Sequence, residues 1–272
     1  DNAGDEISKA RYSAQQERSL GLGAMGLHSY FQKNSIAFDS QEAIDANEEI
    51  FSKIKAKSVE ATLEMGRRRG EAPDMKGTGR RNAHMLAIAP NANSSMIVDT
   101  SPSIEPWKAN AFTSRTRVGS HLNKNPHLEK ILETIGKNTD EVWSTIITSG
   151  GSVQHLDFLD DHVKNVFKTA IELDQHYLIK LAGDRQKHLC QGQSLNIFFP
   201  AGAEKKYLHS VHFQAWAQGC KGLYYLRTES SSKAENVSQK VEREKLDDII
   251  NPDKVQFGLS DDQQDECVAC EG

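Results

Sequence analysis

The chain has 272 residues, with 33 Lys and Arg against 38 Asp and Glu and a net charge of -5. That length supports one large domain or two, and that charge gives no electrostatic basis for binding nucleic acid. Four cysteines (Cys190, Cys220, Cys267 and Cys270) make no disulfide scaffold, and no apolar run reaches the roughly 18 residues of a membrane span.

The start, Asp1-Asn2-Ala3-Gly4-Asp5-Glu6, has neither a Met nor the apolar region of a signal peptide, so a processed or excised piece in a reducing cytoplasm is expected. Residues 1–17 are polar and read as a helix end or linker. Residues 20–25 read as a short Gly-rich strand or turn entering a helix over 26–31. There Gly21-Leu22-Gly23-Ala24-Met25-Gly26 matches the dinucleotide fingerprint G-x-G-x-x-G. The fingerprint needs a hydrophobic strand before it, and Ala14-Gln15-Gln16-Glu17-Arg18 is none, so the glycines read as a tight strand-to-helix junction.

Asp39 or Ser40 can cap the next helix, which buries Ile50, Phe51 and Ile54 and ends in the solvated run Arg67-Arg68-Arg69 at Gly70. A polar loop over 71–80 precedes His84-Met85-Leu86-Ala87-Ile88-Ala89, a buried strand stopped by Pro90. Residues 91–106 read as a polar loop. Helices are expected over 126–135, 139–147 and 160–182. The last carries Val163, Phe167, Ala170, Ile171, Tyr177, Leu178 and Leu181 at helical spacing. A second buried strand over 194–199, a helix over 206–218 and a third buried strand over 222–226 follow. Strands alternating with helices indicate an α/β fold with mainly parallel strands.

Four motifs could carry chemistry. Pro90-Asn91-Ala92-Asn93-Ser94-Ser95 follows a strand's carboxyl end, where α/β proteins place anionic ligands; free amides and the Ser94 and Ser95 hydroxyls could hold a phosphate, and a plain turn capped by Asn and Ser fits equally. His209-x-x-His212 with Cys190 and Cys220 lacks nearby paired cysteines, so no metal site is expected. Tyr224-Tyr225 in a strand would point to opposite faces, one into the core; the alternative is a pair of phenols passing an electron and a proton. Cys267-Val268-Ala269-Cys270 lies in a tail where Asp261, Asp262, Asp265, Glu266 and Glu271 face no base and Val268 is the one sizeable apolar side chain. Such a tail is expected to be flexible, and its thiols can close and exchange a disulfide, a chance pair or half of a zinc site being the bland alternatives.

In order along the chain, Arg18-Ser19-Leu20-Gly21-Leu22-Gly23, Arg81-Asn82-Ala83-His84, Ile88-Ala89-Pro90, Ser94-Ser95, Ser103-Ile104-Glu105-Pro106, Asp184-Arg185-Gln186, Gln193-Ser194-Leu195-Asn196, Leu223-Tyr224-Tyr225 and Cys267-x-x-Cys270 resemble the large catalytic subunit of class I ribonucleotide reductase. The resemblance implies the C-terminal half of a ten-stranded α/β barrel over 1–235, followed by a flexible acidic tail over 236–272. It implies reduction of ribonucleoside diphosphates to deoxyribonucleotides by radical chemistry. Tyr224 and Tyr225 would relay oxidation from a small subunit holding a metal-radical cofactor. Pro90, Asn91, Ala92, Asn93, Ser94 and Ser95 would hold the substrate diphosphate. Cys267 and Cys270 would re-reduce the active-site disulfide and be reduced by thioredoxin or glutaredoxin.

The chain departs from the family in lacking the Asn-x-Cys-x-x-Glu finger loop of the thiyl-radical cysteine, and Cys190 and Cys220 lie in the wrong contexts for the active-site disulfide. The expectation is therefore a fragment that binds no cofactor of its own and is inactive until assembled with the N-terminal half. A non-catalytic binding module and a stand-alone dithiol carrier are the competing readings.

Overall fold

The computed structural model of the chain describes residues 3–116 and 119–228. The expected boundary at 235/236, the tail, Cys267 and Cys270 lie outside the described residues. Helix α1 (Ser8–Glu17) is amphipathic only weakly and buries none of its side chains. Helix α2 (Leu27–Lys33) follows Gly26, whose φ of 82° is the left-handed conformation that glycine adopts without strain. Its added Cβ would lie 2.5 Å from Thr100 Oγ1, and one on Gly23 would lie 2.7 Å from the Ala87 carbonyl oxygen. These glycines permit close approach, as the junction reading expects.

The long helix α3 (Gln41–Arg69) is capped by Ser40, whose Oγ accepts from Ala43 N at 3.1 Å, and ends at Gly70 with φ 78°. Its buried Ala43, Asn47 and Phe51, spaced four apart, face helix α8 (Gln175–Gln186). Asn47 Nδ2 donates to the Leu181 carbonyl at 3.1 Å, joining the two helices.

Four extended segments run side by side and parallel. Leu22 bridges Leu86, Ile88 bridges Gln193, and strand β3 (Ile197–Phe199) pairs with strand β4 (Leu226–Thr228). The expected strand over 84–89 is extended and its Met85, Leu86 and Ile88 are buried, although it joins its neighbours through single bridges. Helix α9 (Lys205–Ala217) connects β3 to β4 and packs on α8.

The structure corrects four expectations. A helix, α4 (Ala92–Ile97), occupies part of the expected 91–106 loop. The hairpin of antiparallel strands β1 (Ala111–Thr116) and β2 (Gly119–Lys124), with Ala111 opposite Lys124, had no counterpart in the sequence reading. The expected 160–182 helix is two, α7 (Asp161–Val166) and α8. Asp160 caps the first and Asp174 the second, and Gln175 Nε2 turns back to the Ala170 and Leu173 carbonyls, so the chain breaks between them. The third strand, expected buried over 222–226, is shifted to β4. Leu226 remains 45% exposed, because β3 is its one pairing neighbour among the described residues.

Helices α5 (Pro126–Thr134) and α6 (Asp140–Thr148) form where expected, capped by Asn125 and Thr139. With Ala111, Val153 and Phe167 they enclose a second apolar cluster, centred on Leu128, Leu132, Trp143 and Ile146. The first cluster joins α2, α3, α8, β3 and α9. The apolar stripe read as one helix face thus serves two cores: Val163 and Phe167 face the second, Ala170, Leu178 and Leu181 the first. No helix among the described residues is long and apolar enough to cross a membrane.

Candidate functional site

Tyr224 and Tyr225 lie just before β4, at the exposed side of the parallel strip. Their ring centroids are 4.1 Å apart with planes at 55°, and the residues are 46% and 39% exposed. This corrects the expectation that one ring enters the core. Tyr224 N donates to the Leu195 carbonyl at 2.8 Å, but Tyr225 N donates to the Asn196 side-chain Oδ1 at 3.1 Å. The second bond leaves the main-chain ladder, so strict alternation of side chains does not hold at this step. The ladder resumes when Ile197 N donates to the Tyr225 carbonyl at 3.0 Å. The Arg227 guanidinium carbon sits 4.5 Å from the Tyr225 ring centroid, a cation–π contact.

A cleft of about 350 Å³ adjoins the pair. It is lined by Ala87 and Ile88, by Gln191 to Ser194, and by Lys221 to Tyr224. Lys221 Nζ donates to the Cys190 carbonyl. The strip therefore brings the end of the 84–89 segment and Tyr224 to one cavity.

Pro90 leads from that segment into α4. Asn91 adopts φ 51°, ψ 29°, the left-handed region that Asn tolerates. Ser95 N donates to the Asn91 carbonyl at 3.0 Å as the helix begins, so the amides of Ala92, Asn93 and Ser94 precede its first bond. Ser94 and Asn93 are exposed. Ser95 is buried, and its hydroxyl donates to the Ala92 carbonyl at 2.8 Å, so that proton is committed within α4.

Behind the site, the motifs of the sequence meet one another. Arg185, fully buried, donates through Nε to Gln193 Oε1 at 2.6 Å and through Nη1 to Asn47 Oδ1 at 2.8 Å. Burial lowers its pKa to about 9, leaving it cationic at neutral pH. Gln193 Nε2 also donates to the Ala182 carbonyl and Gln186 Oε1. Glu105, 2% exposed, accepts from Asn196 N at 2.9 Å and from Asn196 Nδ2 at 3.2 Å. Sequence reasoning placed Glu105 and Asn196 in motifs without a role; an Asn and a Glu far apart in sequence show no pairing signal until the chain folds.

Other candidates do not assemble. Among the described residues no three His, Cys, Asp or Glu side chains group as a metal site. His209 stacks on Phe213, and His212 Nδ1 pairs with the Leu208 carbonyl. Cys190 and Cys220 are free and partly buried, and burial pushes the Cys220 thiol up.

Comparison with known proteins gives a consistent family. The ribonucleotide reductase barrel-domain model matches residues 1–78 and 72–226. A ribonucleoside-diphosphate reductase large subunit of Frog virus 3 is 49% identical over 97% of this chain and 44% of its own length. The large subunit of Invertebrate iridescent virus 6 is 46% identical over 85% of this chain and 25% of its own length. The Actinobacillus ureae class Id ribonucleotide reductase alpha subunit superposes with a TM-score of 0.78 at 39% identity, covering 86% of this chain and 43% of that one. The chain thus spans less than half the length of these relatives. With its parallel strip and the tyrosine pair at its edge, it belongs to the ribonucleotide reductase large-subunit family and corresponds to the C-terminal part of such a subunit.

Proposed function

We propose that the chain is the C-terminal catalytic part of a ribonucleoside-diphosphate reductase and turns over only when joined by the N-terminal remainder of the large subunit and by a small, radical-generating subunit. The observation that carries this is the 4.1 Å contact of two half-exposed tyrosine rings beside a cleft. An oxidant in the small subunit takes one electron from Tyr225 and the phenol proton leaves to a base or solvent. The Tyr225 radical then takes a hydrogen atom from the Tyr224 O–H. Tyr224, which lines the cleft, passes the oxidation to the thiol supplied by the remainder of the subunit. Each step moves one electron and one proton and runs in reverse after turnover.

The substrate's diphosphate rests on the amides of Ala92, Asn93 and Ser94 and the exposed Ser94 hydroxyl, after Pro90 and Asn91 and beside the cleft. Ser95 shapes this loop from within. Cys267 and Cys270 deliver two electrons and two protons to the active-site disulfide and close into a disulfide themselves. Thioredoxin or glutaredoxin then returns the electrons by thiol exchange. All of this chemistry suits a reducing cytoplasm.

The test is reconstitution. The chain alone is expected to make no deoxynucleotide, and the three-component mixture with thioredoxin is expected to turn over. Tyr224→Phe and Tyr225→Phe are each expected to reduce turnover to background while changing stability by about 1 kcal/mol or less, the worth of one hydrogen bond. Near-normal turnover from either Phe variant would remove the relay assignment, and turnover from the chain alone would remove the fragment assignment.

A further inference from the structure

The bond that takes Tyr225 off the ladder depends on a buried charge. Tyr225 N donates to Asn196 Oδ1, so the Asn196 amide must present its oxygen to Tyr225 and its nitrogen elsewhere. The nitrogen goes to Glu105 Oε2, and the Asn196 main-chain N–H goes to Glu105 Oε1. Both carboxylate oxygens accept, which fits the ionised form. An ionised carboxylate has no proton to give, so it admits one orientation of the Asn196 amide. Burial holds the Glu105 carboxyl above its ordinary value, and the Asn196 donors, Lys108 and Arg227 offset only part of that rise. Arg227, whose field reaches Glu105, is the residue whose guanidinium covers the Tyr225 ring. A carboxylate removed from water costs more than a neutral side chain would. Each Asn196 donor has its own Glu105 oxygen.

We propose that Glu105 is a positioning residue for the tyrosine pair: its carboxylate fixes the Asn196 amide, the amide fixes the Tyr225 main chain, and that chain of bonds sets the contact between the two phenol rings. The proposal rests on the relay reading of Tyr224 and Tyr225, but the geometry it claims can be measured without turnover.

Glu105→Gln is the variant to make. A Gln places an NH2 where one Asn196 donor needs an acceptor, so either that bond is lost or the Asn196 amide turns its nitrogen toward Tyr225 N–H. In the full chain, amide exchange at Tyr225 followed by NMR should become about tenfold faster, the factor for one lost hydrogen bond. The ring-current shifts of Tyr224 and Tyr225 should change, while amides in α8 keep their protection. Glu105→Gln combined with Asn196→Asp restores the pattern. Gln Oε1 accepts from the main-chain N–H of residue 196, Gln Nε2 donates to the new carboxylate, and the carboxylate's other oxygen accepts from Tyr225 N–H. The double variant should regain the slow exchange and the ring shifts. In the reconstituted enzyme, Glu105→Gln should lower kcat with KM unchanged, and the double variant should recover kcat.

Unchanged Tyr225 exchange and ring shifts in Glu105→Gln would overturn the proposal, as would altered exchange with undiminished kcat. If Glu105→Gln fails to fold, a folded double variant that lacks slow Tyr225 exchange would overturn it equally. Should the unmodified reconstituted enzyme fail to turn over, the relay reading falls, and the exchange data still decide whether Glu105 holds Tyr225.

Discussion

The two apolar clusters differ in size and in the polar groups they bury. The cluster under α5 and α6 encloses neutral amides: Asn110 Nδ2 donates to the Gly151 and Phe167 carbonyls, and Asn125 Nδ2 to Gln32 Oε1 and Asn110 Oδ1. The region around the parallel strip encloses charges, Arg185 and Glu105, each 2% exposed or less. Neutral amides close off main-chain ends at small cost. Buried charges are expensive, and they restrict which orientation each neighbour can take. The charged side is the one that carries the cleft and the tyrosines. The helical side acts as a buttress whose changes should alter stability without altering chemistry.

The largest expected effect tests that division. Trp143, 1% exposed, fills the centre of the second cluster, donates through Nε1 to Asn138 Oδ1 at 2.6 Å and lies under the Lys124 ammonium. Trp143→Ala should cost about 3–5 kcal/mol in urea unfolding. The molecules that remain folded should keep the Tyr225 amide exchange of the unmodified chain. A change in that exchange would show that the two regions are coupled rather than separate.

A smaller loss is expected on the charged side. Arg185→Met keeps most of the stem's volume but leaves Asn47 Oδ1 and Gln193 Oε1 without their donor. Two buried acceptors left unpaired should cost about 2–3 kcal/mol. Because Gln193 also lines the cleft, reconstituted turnover should fall further than stability accounts for. A loss well under 1 kcal/mol, on the scale of a surface substitution, would mean that the buried guanidinium does not hold α3, α8 and the strip together.

The helices were legible through local signals: the cap at Ser40, the stop at Gly70 and the apolar spacing of α3, with α5 and α6 forming over their expected spans. The helix over 160–182 failed because apolar spacing cannot tell which core a residue faces. Phe167 and Ala170 fit one stripe and pack in different clusters. The tyrosine pair and the phosphate loop were legible as motifs, but their geometry was not. The rings meet because a side chain 29 positions away in sequence takes the Tyr225 amide, and α4 forms where Asn91 accepts a left-handed conformation. Long-range polar pairs such as Glu105 with Asn196 leave no local trace.

The seam between the two regions gives the smallest expected effect and a pH dependence. His28 is fully buried on α2, edge-on to Phe38 of the first cluster with centroids 5.2 Å apart, and the Val166 carbonyl of the second cluster lies close to its ring. Its Nδ1 accepts from Trp107 N at 2.9 Å, which fixes the neutral tautomer with the proton on Nε2. Burial lowers its pKa from 6.5 to about 3, with the Val166 carbonyl opposing and His127 adding to the shift. Above pH 6.5 the ring is neutral folded and unfolded, and the shift has no effect on stability. Between 6.5 and about 3 the unfolded chain binds a proton that the folded chain does not, so stability falls with pH. The slope approaches about 1.4 kcal/mol per pH unit, or about 2 kcal/mol lost by pH 5. His127 and His155 are lowered in the same direction by partial burial, so the comparison must be with His28→Gln rather than with theory. The variant is expected to be less stable at pH 7.5 and to have a flatter fall in urea-derived stability from pH 6.5 to 4. Equal slopes in the two proteins would show that the seam is not what acid loosens.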